Sequence, residues 1–175
     1  MENKKVKIWN LISTVTIAVL LITTVVLSVI LIVKNKKEND MQTYYYQKCE
    51  MFEMENANFA RNQIVFIGDS LTDGCMLDKF YSNLPLATYN RGIGGDTTSG
   101  VLKRLKLSLF DINPSKIVLL IGTNDINGGV ENNKILENYR NILKEISTKL
   151  FQLQKRMNPI ITRSIQKKLI RITPS

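Results

Sequence analysis

The sequence predicts an α/β fold with a parallel sheet, preceded by one membrane-spanning helix, and three observations carry that expectation. Two short apolar runs, Gln63 to Gly68 and Lys116 to Gly122, are rich in β-branched residues. Near-continuous rather than alternating, they suit strands buried on both faces of a parallel sheet. Polar clusters follow these strands, with helical patterns between them. Finally, no residue from Ile8 to Val33 is charged, a run longer than the roughly 20 residues that cross a bilayer core.

Residues 1–7 form a basic N-terminus and residues 8–33 the expected transmembrane anchor. A cleavable signal peptide is the rival reading, but its apolar region would be about 7 to 15 residues long and end in a small-residue cleavage site. Lys34, Lys36 and Lys37 close the run instead. A buried core helix fits less well, because nothing nearby could surround so uniform an apolar surface. Lys4, Lys5 and Lys7 balance the lysines at the far end, so the positive-inside rule alone gives a tie. The short basic N-terminus is that of a signal anchor, which predicts a single-pass protein of the cell membrane with its domain extracytoplasmic.

Residues 34–43 read as a polar juxtamembrane connector, its polar stretch running from Asn35 to Gln42, ahead of the domain, residues 44–150. Tyr44 to Glu53 spaces its apolar residues at about three to four, predicting a first amphipathic helix against the sheet. An interfacial tyrosine belt is the alternative. Gln63 to Gly68 is the first strand, Ala87 to Asn90 a shorter second, and Lys116 to Gly122 the third. Asp96 or Thr97 can cap a helix through about Leu109, with Val101, Leu102, Leu105 and Leu109 on one side. Asn113-Pro114 marks a turn. From about Asn133 to Leu153 the residues Ile135, Tyr139, Ile142, Leu143, Ile146, Leu150 and Leu153 repeat at steps of three and four, an amphipathic helix. The alternation of strand and helix gives an α/β sandwich with right-handed crossovers.

The net charge is +9, and its placement matters more than its size. After Glu145 there is no acidic residue, while Lys149, Lys155, Arg156, Arg163, Lys167, Lys168 and Arg171 follow, leaving +2 for the rest. No nucleic-acid motif or basic-aromatic interleaving accompanies this excess, so no nucleic-acid partner is expected. Cys49 and Cys75 lack metal-ligand spacing and read as two unpaired thiols, a bridge between them being the alternative. Gly92, Gly94 and Gly95 do not fit Gly-x-Gly-x-x-Gly, and no Gly-Lys-Ser/Thr follows a strand. Neither a metal nor a cofactor is expected.

The chemistry lies at the carboxyl ends of the strands, where open α/β sheets bind ligands. Three clusters fall there: Gly68-Asp69-Ser70-Leu71-Thr72, then Asn90-Arg91-Gly92-Ile93-Gly94-Gly95-Asp96-Thr97-Thr98, then Gly122-Thr123-Asn124-Asp125. With these clusters and their spacing, about Tyr44 to Leu150 resembles the SGNH, or GDSL, hydrolase superfamily, especially the branch similar to platelet-activating-factor acetylhydrolases and carbohydrate acetylesterases. The resemblance implies a flavodoxin-like three-layer αβα sandwich and ester hydrolysis through an acyl-enzyme. It makes Ser70 the nucleophile, and Ser70, Gly95 and Asn124 the oxyanion-hole residues, acting on acetyl or short-acyl esters of a glycan or lipid.

The residue types suit those roles. Ser70 follows a strand at a helix start, where its own amide and the helix dipole face a developing oxyanion. Gly95 admits close backbone approach, and the Asn124 amide donates without titrating. Taken singly, a helix cap would explain Ser70 and simple turns would explain Gly95 and Asn124; the three in order make the bland readings improbable. Asp69, Asp73, Asp96 and Asp125 are expected to cap helices and fix loops.

One departure is large. The 175 residues contain no histidine, whereas the family carries an Asp-x-x-His near its C-terminus, and no lysine or tyrosine can be assigned as a replacement base. Residues 151–175 are basic and offer only Ile160-Ile161-Thr162 as a weak strand. The composition shift near Leu150 predicts a truncated family domain, incomplete at the C-terminus with an uncovered sheet edge, through a frameshift in the coding sequence. A basic helix lying on an anionic membrane is the competing reading of the tail. Three functional readings stay open: an anchored esterase, a catalytically impaired remnant or binding pseudoenzyme, and a small membrane protein whose tail binds lipid.

Overall fold

The structure, a computed structural model, describes residues 2–157. The weak strand at Ile160 to Thr162 and the tail beyond Met157 lie outside the described residues. The chain divides into two compact units at the Tyr44–Tyr45 junction, and one helix, α1 (Glu2–Asn56), runs through both.

In the first unit α1 is the one helix among the described residues long and apolar enough to cross a membrane. Its side chains from Ile8 to Val33 are exposed. The hydroxyls within the run bond back to the helix's own carbonyls: Thr14 to Asn10 O at 2.6 Å, Thr16 to Ile12 O at 2.8 Å and Ser28 to Thr24 O at 2.8 Å. Such internal bonds leave little unpaired polarity on an apolar surface. The connector between Asn35 and Gln42 is helical. No Gly or Pro interrupts residues 34–43, their Lys, Glu and Gln residues are good helix formers, and Lys34 pairs with Glu38 one turn on.

The second unit holds a three-stranded parallel sheet of β1 (Ile64–Gly68), β2 (Thr88–Gly92) and β3 (Lys116–Leu120), in the order β2-β1-β3. Ile64 lies opposite Thr88 and Lys116, and Gly68 opposite Gly92 and Leu120. Between β1 and β2 come two single turns, α2 (Ser70–Asp73) and α3 (Leu77–Phe80). Between β2 and β3, α4 (Thr98–Lys103) precedes a π-helical segment, Lys106–Phe110. The single helix expected here to Leu109 is thus interrupted at Arg104. After β3 come α5 (Thr123–Asn127) and the long α6 (Asn132–Met157).

The core lies on one face of the sheet, where Val65 and Ile67 of β1 meet Val101, Leu105, Leu109 and Ile112, together with Ile142 of α6. Ile117 and Leu119 of β3 pack against the same cluster. The opposite face is covered thinly. There α2 lies on β1 and β2, α3 lies on β2, and Phe66 meets the Tyr81 ring. The sequence expectation of burial on both faces fails at β3, where Val118 and Leu120 are 43% and 51% exposed.

The last turns of α1 join this unit as the amphipathic pattern predicts. Phe52 is fully buried, and the Tyr45 hydroxyl donates to Gly100 O at 3.3 Å. Burial pushes that hydroxyl up to about 12, with Cys49 and Asp96 adding in the same direction. An unfolded tyrosine releases its proton near pH 10. Between those values the unfolded chain binds fewer protons than the folded one, so stability falls as pH rises. Urea midpoints between about pH 9 and about pH 11 are expected to fall less steeply for Tyr45→Phe than for the wild type.

Candidate active site

The three sequence-predicted site residues leave the same end of three adjacent strands. Ser70 follows β1, Gly95 follows β2 and Asn124 follows β3, and the strand ends are level, Gly68 lying opposite Gly92 and Leu120. β1 is central, so the chain turns to opposite sides of it, and such a switch point is where open α/β sheets place their ligands.

Ser70 is exposed at the first position of α2. The Asp69 carboxylate caps this turn by accepting the Leu71 N–H at 3.0 Å. The amide of Ser70, among the first that a helix leaves without an internal partner, is not consumed by the cap. At four residues α2 is too short for the expected dipole to count for much, so the amide itself is the donor that remains. The second oxygen of Asp69, Oδ2, is buried without a partner.

Gly92 and Gly68 exist for close approach. A Cβ on Gly92 would stand 2.1 Å from Asp73 N, and one on Gly68 would stand 2.1 Å from Leu120 O. Both glycines let α2 lie directly on the strands. Asn90 secures it from below, its side-chain amide donating to Thr72 O at 2.7 Å and Cys75 O at 3.2 Å.

Gly95 sits third in a turn closed by the Asp96 N–H on Ile93 O at 3.1 Å. Its φ of 78° is what a type II turn requires there, and glycine meets it without strain. Asp73 holds the turn to α2, accepting the Gly94 N–H at 2.9 Å while pairing with Lys48 at 2.8 Å. Asn124 reaches the same loop, donating from Nδ2 to Asp96 O at 2.9 Å. An amide nitrogen carries two hydrogens, and Asp96 O takes one of them.

The other aspartates fix loops, as their positions after strands suggest. Asp125 accepts the Thr98 N–H at 2.8 Å and the Thr98 hydroxyl at 2.7 Å, and Asn138 donates to that hydroxyl at 2.9 Å. Asp96 pairs with Arg104 at 2.7 Å. Burial pushes the Asp96 carboxyl up, and the Arg104 guanidinium pulls against it. Among the described residues no group of His, Cys, Asp or Glu could hold a metal ion, and Cys49 and Cys75 are both free.

Two supporting residues escape a reading that treats cations as surface groups. Arg91 is fully buried, its guanidinium 4.4 Å from the Phe52 ring and 4.6 Å from the Phe59 ring, paired with Glu55 and donating to Asn56 Oδ1 at 2.6 Å. Burial pulls its pKa down. Arg104 is 3% exposed. One signal was available: Arg104 falls within the apolar stripe of Val101, Leu105 and Leu109 at helical spacing, where a charge must find buried partners.

The chain is similar to known proteins in sequence and in fold. Over 78 residues the chain is 40% identical to platelet-activating factor acetylhydrolase IB subunit alpha2 of Homo sapiens, a match covering 39% of this chain and 34% of that protein. It is 42% identical over 66 residues to subunit alpha1 of Rattus norvegicus, covering 36% and 28%. The chain therefore spans about a third of the length of these curated relatives. A solved protein from Streptococcus pneumonia, assigned as a platelet activating factor, superposes with a TM-score of 0.60 at 28% identity, covering 65% of this chain and 53% of that one. A GDSL-like lipase from Bacteroides thetaiotaomicron, at 22% identity and a TM-score of 0.51 over 58% of this chain and 53% of that one, shares the fold. The family model for GDSL-like lipases and acylhydrolases matches residues 66–166, more than half of the chain, and the chain belongs to that family.

Proposed function

We propose that the chain is a membrane-anchored serine ester hydrolase that acts on acetyl or short-acyl esters of a glycan or lipid. Residues 8–33 are the single-pass anchor in the cell membrane and residues 44–150 the hydrolase domain, facing the extracytoplasmic side. The observation that carries the reading is the convergence of Ser70, Gly95 and Asn124 at the level carboxyl ends of adjacent strands. The acetyl preference is supported by the relatives, which are acetylhydrolases by name.

In this reading the Ser70 Oγ attacks the ester carbonyl carbon, and the carbonyl oxygen becomes an oxyanion. The amides of Ser70 and Gly95 and the free Nδ2 hydrogen of Asn124 donate to it, in a frame already held by Asp73, Asp96 and Asp125. The proton given up by the Ser70 hydroxyl leaves with the alcohol, and water then cleaves the acyl group as the carboxylic acid, returning a proton to Ser70 Oγ.

A second reading is favoured by one observation, that the 175 residues contain no histidine. A serine hydroxyl is a weak nucleophile without a base to take its proton. The domain would then be a binding protein, or an impaired remnant, that keeps the pocket. Slow turnover does not separate the two, since serine hydrolases stripped of the triad retain roughly 1,000- to 10,000-fold catalysis over water. Covalent labelling by a fluorophosphonate does: an adduct on Ser70, lost in Ser70→Ala, supports the hydrolase, and an unlabelled folded protein supports the binding protein.

A further inference from the structure

We infer that Arg104 is the positioning residue of this site, setting the aim of Asn124 and the spacing of the strands that carry Ser70 and Gly95. The inference rests on the reading of Asn124 as an oxyanion donor. The Arg104 guanidinium donates four hydrogen bonds and forms one ion pair. Nε donates to Asp96 Oδ2 at 2.8 Å, and Nη2 lies 2.7 Å from the same oxygen. Nη2 also donates to Gly68 O at 3.0 Å, and Nη1 to Arg91 O at 2.7 Å and Ser108 Oγ at 2.9 Å. A guanidinium has five N–H groups in a fixed fork, and here four of them donate hydrogen bonds while Nη2 also forms the ion pair with Asp96.

The choice of acceptors gives the role. Gly68 ends β1 two residues before Ser70, and Arg91 lies beside the end of β2 ahead of the Gly95 turn. One cation thus fixes the separation of the two strand ends. Through the Asp96 carboxylate it also fixes residue 96, whose carbonyl receives the Asn124 amide at 2.9 Å. The path from Arg104 to the proposed oxyanion site is therefore two contacts long, the first of them buried, since Asp96 is 5% exposed. Gly100 packs into the same join: a Cβ there would stand 1.8 Å from Asp96 Oδ1. Lysine cannot replace the fork, because an ammonium offers three donors from one point and cannot span two strand carbonyls and a carboxylate together.

The test is Arg104→Lys in the full chain purified in detergent, with two readouts. The Asn124 side-chain amide resonance, assigned by its loss in Asn124→Ala, is expected to shift and to lose hydrogen-exchange protection. For p-nitrophenyl acetate, kcat is expected to fall about 10- to 100-fold at nearly unchanged KM, since misplacement by about 1 Å costs up to roughly 100-fold. Combining Arg104→Lys with Asn124→Ala should cost less than the product of the single losses. A folded Arg104→Lys protein whose Asn124 resonance stays in place overturns the inference. Should Arg104→Lys fail to fold, Asp96→Asn weakens the same link from its other end and is expected to move the same resonance, an unmoved one again overturning it. Wild-type protein without Ser70-dependent turnover would overturn the proposed function alone, and the resonance would still decide for or against Arg104.

Discussion

Asn124→Ala is expected to lower kcat for a short-acyl ester by about 100- to 1,000-fold, the usual effect of losing one oxyanion donor. KM should stay close to its original value, because the donor acts on charge that develops only in the transition state. The geometry sets this expectation. One hydrogen of Nδ2 is committed to Asp96 O at 2.9 Å, so the side chain cannot swing away, and the other hydrogen is held in a fixed direction. Alanine removes the donor together with that tie. The lost hydrogen bond costs about 1 kcal/mol of stability, which unfolding in urea separates from the kinetic effect. Steady-state kinetics beside that measurement check the prediction: a rise in KM with kcat intact would move Asn124 from transition-state stabilisation to ground-state binding.

Gly92→Ala is expected to be the most destabilising small substitution in the sheet. The added methyl would stand 2.1 Å from Asp73 N, 2.5 Å from Asp73 Cα and 2.6 Å from Thr72 C. These are backbone atoms and cannot rotate aside. Relief requires lifting α2 off β2, against the bonds from Asn90 to the carbonyls of Thr72 and Cys75. Overpacking of this kind costs about 3 kcal/mol or more, and because α2 begins at Ser70 the remaining folded protein should also lose its reactivity. Gly74→Ala is the control. There the nearest atom, Ser70 O, lies at 3.4 Å and φ is −78°, so alanine is expected to be neutral or stabilising by up to about 1 kcal/mol. Equal urea midpoints for the two variants would contradict the close packing of α2 on β2.

Much of the arrangement was legible because it rests on short-range rules. The strands were marked by β-branched apolar runs, the start of α4 by Thr97, whose hydroxyl accepts the Gly100 N–H at 3.2 Å, and α6 by its three-and-four repeat. The order of the three site clusters followed from the same pattern. What escaped depends on tertiary context. The apolar run of β3 implies burial on two faces, whereas Val118 and Leu120 stay exposed because burial depends on what lies above the strand, which the strand's own residues do not specify. Arg91 and Arg104 were hidden by their charge. Composition assigns a guanidinium to the surface, and only the folded chain brings Glu55 and two phenylalanine rings to one and Asp96 with three further acceptors to the other.

The central claim is that Ser70 is a nucleophile seated in a formed oxyanion hole, and fluorophosphonate labelling followed by peptide mass spectrometry tests it most directly. The reagent forms a bond between its phosphorus and the serine Oγ with loss of fluoride. Its phosphoryl oxygen occupies the place of the oxyanion, so both halves of the site are examined at once. Full-length folded protein is predicted to carry the adduct on the peptide containing Ser70, with labelling abolished in Ser70→Ala and slowed in Asn124→Ala. Folded wild-type protein that stays unlabelled, or that carries the adduct on another serine, would contradict the account.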